Sequence, residues 1–288
     1  MVKPFFLFLL LVSSVFSNEI AQETNDNELF EKIKTFVEPK VFVKDRGFID
    51  TIFSPTKDYY LDEGKVDTIK VIKNLKNNGI LNLFFDKPRE VNISFKTSGN
   101  SQFFVKIMSD TLQNIGYYRY VTTESILDAS GFIWRIALTS EYAADPLILS
   151  QELQKSNCVI TDVIRHSPTD WTYVIQMQDA KLNTSVLMDG MEYELKRSLY
   201  SYWLDVSKIK KLKITSSYRN SWYPYIAYYD KSMKLLRVIR RDIKRRVITL
   251  DMKQDTHYLK ISDIYTLKNI KDALVLTPIG VRDTNASQ

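Results

Sequence analysis

Few side chains in this sequence have the type and spacing that catalysis requires. The two histidines, His166 and His257, lie far apart in the chain, and neither has a nucleophile-elbow sequence near it. Cys158 begins an apolar run, which favours a small core residue over a nucleophile. No pair of His or Cys has metal-ligand spacing. We therefore expect neither a metal nor another cofactor, and we expect the chain not to be an enzyme.

A carboxylate hydrolase stays open as an alternative, because acid and base pairs carry no local sequence signature. The candidates are Asp58 with Asp62 and Glu63, and Glu192 with Glu194. Such groups are typical of a solvated surface, and this favours the non-catalytic interpretation.

Basic side chains cluster between residues 231 and 246, where eight Lys and Arg face a single acid, Asp242. Four more lysines, at 208, 210, 211 and 213, lie on another predicted strand. A concentrated positive patch attracts anionic lipid headgroups, acidic polymers or an acidic partner protein. The alternative is a charged hairpin that prevents edge-to-edge aggregation, and both interpretations stay open. The predicted binding patch comprises Arg237, Arg240, Arg241, Lys244, Arg245 and Arg246.

Aromatic residues are concentrated just before this cluster, from Ser216 to Tyr229. Strand alternation predicts one face with Tyr223, Tyr225 and Tyr229, and an opposite face with Pro224, Ile226 and Tyr228. Exposed tyrosines in a row hold sugar rings or a partner surface, whereas buried ones belong to a core. The predicted aromatic surface comprises Trp222, Tyr223, Tyr225 and Tyr229.

Two short motifs match the acidic-x-Asn-x-Ser/Thr acceptor of bacterial N-glycosylation. They are centred on Asn92 and Asn285, whereas the plain sequon at Asn183 has Lys181 where the acid is needed. Asn285 lies in a polar tail and is the first candidate, because Asn92 opens a predicted strand.

The first residues have the order of a secretory signal peptide, with Lys3, an apolar run from Phe5 to Val12 and a small-residue stretch up to Ser17. We expect cleavage before Asn18 and a soluble periplasmic product. An uncleaved anchor is the alternative. No later segment approaches the roughly 18 apolar residues of a membrane helix.

Composition fits an exported globular protein that is held by its core. Of 288 residues 44% are apolar, and the single cysteine cannot form an internal disulfide. A net charge of +6 with mixed signs gives no reason to expect nucleic acid as a partner.

Three segments between residues 61 and 180 repeat the pattern helix, strand, turn, strand. The predicted turns are Asp86–Arg89, Asp128–Gly131 and Ser167–Asp170. Their helix ends align at Leu75, Leu112 and Leu153, each four residues before Gly79, Gly116 or Asn157, residue types that tolerate a left-handed C-cap. In the second strand of each unit apolar residues alternate, which predicts a sheet covered by helices on one face. The predicted fold class is α+β, with tandem αββ repeats forming two-layer α/β modules before an antiparallel β-sandwich.

Seven short strands with polar turns follow to Pro278 and predict the sandwich over residues 181–280. The segments YSYWLDV, LKIT, WYPYIAYYD and YLKISDIY resemble the bacterial pre-peptidase C-terminal domain, a jelly-roll-like module. This resemblance implies a non-catalytic module of a secreted protein, and some such domains bind calcium or extracellular polymers. Here RRDIKRR replaces the usual Asp, Asn and Gly loop, a departure from the family pattern that counts against calcium binding and leaves it open.

The predicted organisation is a signal peptide at 1–17, a leader and short helix at 18–60, repeats at 61–180, the sandwich at 181–280 and a flexible tail at 281–288. The leading hypothesis is a periplasmic scaffold that binds other envelope proteins. The glycosylation motifs point to bacteria with polar flagellar motors, so the specific hypothesis is a periplasmic motor component. The alternative is a module that binds glycan, an anionic polymer or a membrane surface. The oligomeric state stays open.

Overall fold

The computed structural model describes residues 27–282. They divide into two compact units, the first ending at Ala180 and the second beginning at Lys181. Helices and several antiparallel strand pairs are present, so the predicted α+β class is confirmed. The predicted signal peptide, most of the leader and the motif at Asn285 lie outside the described residues.

The first unit begins with helix α1 (27–36), followed by α2 (Pro39–Lys44), α3 (Arg46–Ile52) and a 3-10 turn (Thr56–Tyr59). Helix α1 ends at residue 36, shortly before Pro39, and Pro39 opens α2, because proline is tolerated in the first turn of a helix. The segment that was predicted to hold one short helix therefore holds three.

Three longer helices follow: α4 (Thr68–Asn77), α5 (Ser101–Asn114) and α6 (Pro146–Gln154). Each begins at an Asp or Asn whose side chain accepts a backbone N–H of the first turn. Each is followed by a residue with positive φ, as predicted: 71° at Gly79, 97° at Gly116 and 54° at Asn157. In all three, the next N–H donates to the aligned leucine carbonyl: Ile80 to Leu75, Tyr117 to Leu112, Cys158 to Leu153.

The strands of the first unit are β1 (Phe84–Thr97), β2 (Val121–Asp128), β3 (Gly131–Tyr142), β4 (Val159–Ser167) and β5 (Asp170–Gln176). They form one sheet in the order β2-β3-β1-β5-β4, in which β1 and β5 are parallel and the other neighbours antiparallel. At its centre the buried ring of Phe95 lies 5.9 Å from Trp134 and 5.8 Å from Tyr173. The three segments thus share one core and one sheet and do not form separate modules.

The first segment also lacks the predicted hairpin. A turn was expected at Asp86–Arg89, but β1 continues through it and pairs with β3 across an irregularity between Phe84 and Arg89. No glycine or asparagine is present to adopt a tight turn, and Pro88, which has no N–H, is tolerated at a bulge.

The second unit contains eight strands: β6 (Tyr193–Leu195), β7 (Tyr202–Asp205), β8 (Ile209–Ser216), β9 (Pro224–Tyr229), β10 (Leu235–Arg240), β11 (Val247–Asp251), β12 (Tyr258–Asp263) and β13 (Leu274–Val281). They form two antiparallel sheets, β10-β9-β12-β7 and β11-β8-β13-β6. Both sheets contribute to one buried cluster that includes Ile226, Leu259 and Leu212. All seven predicted strands are present, and β6 was not predicted. Val281 belongs to β13, so the predicted tail at 281–288 began too early.

Candidate functional site

The two predicted patches lie side by side on the sheet β10-β9-β12-β7. Ile226 and Tyr228 of β9 point into the core cluster, so strand alternation directs Tyr225 and Tyr229 to the opposite, solvent-facing side. Both are half-buried. Arg240 of β10 lies directly beside Tyr225 in the register. The basic and aromatic signals therefore belong to one surface.

Two residues that the sequence analysis did not select complete this surface. Trp203 of β7 lies with its ring 5.1 Å from Tyr229, and the Lys260 ammonium of β12 lies 5.7 Å from the Trp203 ring. Their position follows from register, because Lys260 pairs with both Ala227 and Trp203. The alternation of Trp203 with the core-facing Leu204 was the sequence signal that could have identified it. We call Tyr225, Tyr229, Trp203, Lys260 and Arg240 the aromatic–basic face.

Trp222 does not belong to this surface, and its assignment to the aromatic surface was wrong. Its side chain is fully buried in the sandwich core, and its indole N–H donates to the Ser262 carbonyl at 2.9 Å. It lies in the loop before β9, where alternation no longer decides which way a side chain points. Tyr223 is half-buried and packs edge-on against the exposed Tyr265, with ring centroids 5.1 Å apart.

The basic cluster is exposed along its whole length. Among residues 27–282, none of its eight cations forms an ion pair with a carboxylate. The two nearby acids have other partners: Asp230 accepts the N–H groups of Ser232 and Lys234, and Asp242 accepts the Tyr265 hydroxyl. The eight exposed cations are Lys231, Lys234, Arg237, Arg240, Arg241, Lys244, Arg245 and Arg246.

Backbone hydrogen bonds fix the segment that carries most of these cations. The N–H of Arg241 donates to the Pro224 carbonyl at 3.0 Å, and that of Arg245 to the Trp222 carbonyl at 3.0 Å. The Arg246 carbonyl accepts the Ser216 N–H at 2.7 Å. A fixed backbone lowers the entropy that is lost when a ligand binds.

Two tyrosines next to the cluster, one buried and one exposed, remain neutral phenols at physiological pH. Burial raises the pKa of Tyr228 to about 12, although the Arg237 guanidinium, 5.9 Å from its ring, opposes this rise. The hydrogen bond to Asp242 raises the pKa of the exposed Tyr265. These groups therefore act as hydrogen-bond donors and ring surfaces, not as anions that would neutralise the arginines.

The second group of lysines lies on the other sheet. Lys211 is 3.5 Å from Asp251, and Lys213 pairs in register with Thr249 of β11. Both point away from the core on β8, whereas Lys208 and Lys210 lie at the start of that strand. The Arg246 carbonyl accepts the N–H of Ser216, the last residue of β8. Only part of this group is thus close to the basic cluster.

Three further residues that the sequence singled out, Cys158, His166 and Asn92, lie where the fold restricts their reactivity or access. Cys158 is buried, and burial raises its pKa to about 11, so it is a poor nucleophile. His166 Nε2 lies 2.9 Å from Thr172 Oγ1, but Thr172 is itself buried. Asn92 lies on the central strand β1 between β3 and β5, where the sheet restricts enzyme access to a folded acceptor.

Within residues 27–282 no group of three or more His, Cys, Asp or Glu side chains is arranged to hold a metal ion. None of the helices in the same range has the length and apolar character needed to cross a lipid bilayer.

Comparisons with protein-family models, curated proteins and solved structures give no match for this chain. The resemblance of residues 187–278 to the pre-peptidase C-terminal domain stays a prediction.

One sequence signal of the site was hidden by summing charge over the whole chain. Residues 1–180 carry 19 Lys and Arg against 23 Asp and Glu, a net charge of −4. Residues 181–288 carry 21 against 11, a net charge of +10. Counted by unit, the positive charge is concentrated in the sandwich and not dispersed.

Proposed function

We propose that this chain is a non-catalytic binding protein of the bacterial cell envelope whose sandwich unit recognises an acidic partner protein. The observation that carries this proposal is the set of eight exposed cations beside the aromatic–basic face, most of them on a fixed backbone and none in an ion pair within residues 27–282. Arginine, tyrosine and tryptophan are the residues that most often dominate binding energy at protein interfaces. Placement in the periplasm and in a flagellar motor stays a prediction from the sequence.

Charge supports a binding role over a purely protective one. A protective edge needs a few charges to repel a second copy, but here six cations belong to the stretch from Arg237 to Arg246 with only Asp242 among them. Such a field speeds the association of an acidic partner and repels a basic one.

The test compares two fourfold variants of the full chain in pull-downs from envelope extract. One changes Arg240, Arg241, Arg245 and Arg246 to Gln. The matched control changes Lys181, Lys208, Lys210 and Lys253 to Gln, which removes the same charge from the same unit outside the cluster. Since each exposed pair contributes on the order of 0.2 to 1 kcal/mol, loss of four should weaken retention of acidic partners about tenfold or more.

The control should retain these partners, and about 1 M salt should release them because it shortens the Debye length to roughly 3 Å. Equal loss in both variants would show that only the net charge of the unit matters and would refute a specific site.

A second candidate function is glycan binding, and the half-buried rings of Trp203 and Tyr229 favour it. In that case purified cell-wall sacculi should bind the protein, and Trp203→Ala with Tyr229→Ala should abolish binding while the arginine variant retains it.

A further inference from the structure

Strand β10 forms an open edge of its sheet. It pairs with β9 on one side, and in the described part of the chain no strand lies on its other side. The opposite edge differs, because a segment around Val186 bonds to Asp205 of β7: the Leu187 N–H donates to the Asp205 carbonyl, and the Asp205 N–H donates to the Ser185 carbonyl. Of these two edges, the one at β10 is free to accept a further strand.

The register shows which backbone groups of β10 are free. The Arg241 N–H donates to the Pro224 carbonyl at 3.0 Å, so this is a hydrogen-bonded pair. Hydrogen-bonded and non-hydrogen-bonded pairs alternate along an antiparallel ladder. Ile239 and Arg237 therefore bond to β9, whereas the N–H and C=O groups of Val238 and Arg240 point to the open edge.

Side chains along this edge are apolar as well as basic. Leu235, Leu236 and Val238 are 51%, 40% and 39% exposed. Arg240 lies on the same face as Val238, and Arg237 on the other. A strand that carried only protective charges would not need three exposed apolar residues. The bulge between Leu235 and Arg237 limits the regular edge to the residues that follow it.

Charge decides what can occupy this edge. A second copy of the chain would bring the same eight cations against themselves, and like charges directly opposite each other are destabilising. An added strand with alternating side chains would instead place its carboxylates on the face of Arg240 and its apolar side chains on the face of Ile239, which packs against the core.

We propose that β10 accepts an extended acidic segment of a partner polypeptide as an added antiparallel or parallel strand, with alternating acidic and apolar side chains. This inference rests on the proposed function and specifies the form of the partner. Main-chain hydrogen bonds to Val238 and Arg240 provide affinity in this mode, and the alternate side chains provide specificity.

The experiment uses the full chain and a fluorescent octapeptide of alternating Glu and Val, with binding followed by fluorescence anisotropy. A second peptide has the same sequence but carries a methyl group on every backbone nitrogen, so it keeps its charge and cannot donate hydrogen bonds. We expect the methylated peptide to bind at least about tenfold more weakly.

Two proline variants test the same edge from the protein side. Val238→Pro removes an N–H that points to the open edge and keeps the ladder to β9 intact. Thr249→Pro is the matched control on β11, the edge strand of the other sheet. There the Ser216 N–H donates to the Arg246 carbonyl, and the Met252 N–H donates to the Lys210 carbonyl. Hydrogen-bonded pairs alternate along the ladder between them, so the Thr249 N–H points to the open edge of β11.

Val238→Pro should weaken peptide binding about tenfold, whereas Thr249→Pro should bind like the wild type. If Val238→Pro fails to fold, which a loss of its thermal transition would show, the comparison of the two peptides decides alone.

Equal binding of both peptides would overturn strand addition but leave an electrostatic acidic partner in place. Absence of peptide binding, with binding to phosphatidylglycerol vesicles, would overturn strand addition and point to a membrane surface; the fourfold arginine variant then tests the proposed function separately.

Discussion

Ion pairs are far more frequent in the first unit than in the second: among residues 27–180 eight of 18 Lys and Arg side chains form one, and among residues 181–282 one of 21 does. Eight ion pairs lie among residues 27–180, including the contacts of Lys32 with Asp162 and Arg135 with Asp170. Among residues 181–282 the ion pairs are Lys211 with Asp251, and His257 with Asp205 when the imidazole is protonated. Charges that are satisfied within a unit support its structure, whereas an excess that stays unsatisfied is available to a partner.

This difference in ion pairing predicts that the two units can be produced as separate fragments and that the second fragment alone binds the acidic peptide. A fragment of residues 181–282 should fold with a β-type circular dichroism spectrum and should bind the Glu–Val octapeptide like the full chain. It must include Leu182, whose N–H donates to the Tyr258 hydroxyl, and Arg282, which donates to the Thr256 carbonyl. The fragment 27–180 should not bind the peptide. Comparable binding by both fragments would contradict the contrast.

Core substitutions should affect one unit and not the other. Trp222→Ala removes a fully buried side chain, so we expect the sandwich to lose about 3 to 5 kcal/mol of unfolding free energy in urea titrations. Trp203→Ala on the aromatic–basic face should cost much less and should weaken binding instead. A change in the unfolding of residues 27–180 on either substitution would show that the two units unfold together.

Removal of a single charged side chain should lower the stability of the first unit but leave that of the second unit nearly unchanged. The Asp145 carboxylate caps α6 by accepting the Leu147 N–H at 3.0 Å, and it forms an ion pair with Lys76. Asp145→Ala should therefore destabilise the first unit by about 1 to 2 kcal/mol.

By contrast, Arg240→Gln should leave the stability of the second unit within about 0.5 kcal/mol, because this exposed cation forms no ion pair in the described part of the chain. Thermal or urea unfolding of the two variants measures both effects. A comparable loss on Arg240→Gln would mean that the basic cluster has a structural role.

Alkaline pH should weaken the first unit through Cys158. Burial raises the pKa of this thiol from 9.0 to about 11, so the folded state keeps a proton that the unfolded chain releases. Stability is therefore complete below pH 9 and falls as pH rises towards 11. Between pH 9 and 10 the loss should be about 1 kcal/mol. Cys158→Ala should reduce this slope and leave the part that comes from Tyr117 and Tyr173, whose pKa values burial also raises. An unchanged slope would assign it to the tyrosines alone.

Periodicity in the sequence predicted the local structure well. The helix ends at Gly79, Gly116 and Asn157 and seven sandwich strands follow from local chemistry, since left-handed caps and alternation need only neighbours in sequence. The single sheet did not follow, because the parallel pairing of Ile93 with Trp171 joins distant segments that no local pattern specifies. A sequence repeat predicts contacts between segments that are adjacent in the chain, whereas here strands of the first and third segments also pair with each other.

The sequence predicted only part of the candidate site, again because local patterns do not specify which distant strands pair. The cations and Tyr225 and Tyr229 were visible in the sequence, whereas Trp203 and Lys260 join them only through the pairing of β12 with β9 and of β7 with β12. Trp222 was misassigned because a loop residue has no alternation to follow.

The parallel pairing of β1 with β5 also bears on how the first unit folds. Loop closure over a long segment has an entropic cost before any contact compensates for it, so sheets with distant neighbours form slowly. Strand β1 lies at the centre of the sheet, and it has its full set of neighbours only after β5 has joined. A chain that has formed only α4, β1, α5, β2 and β3 exposes one side of β1. Loss of the third segment would therefore leave an open central strand and a species prone to aggregate, not a shorter version of the same fold.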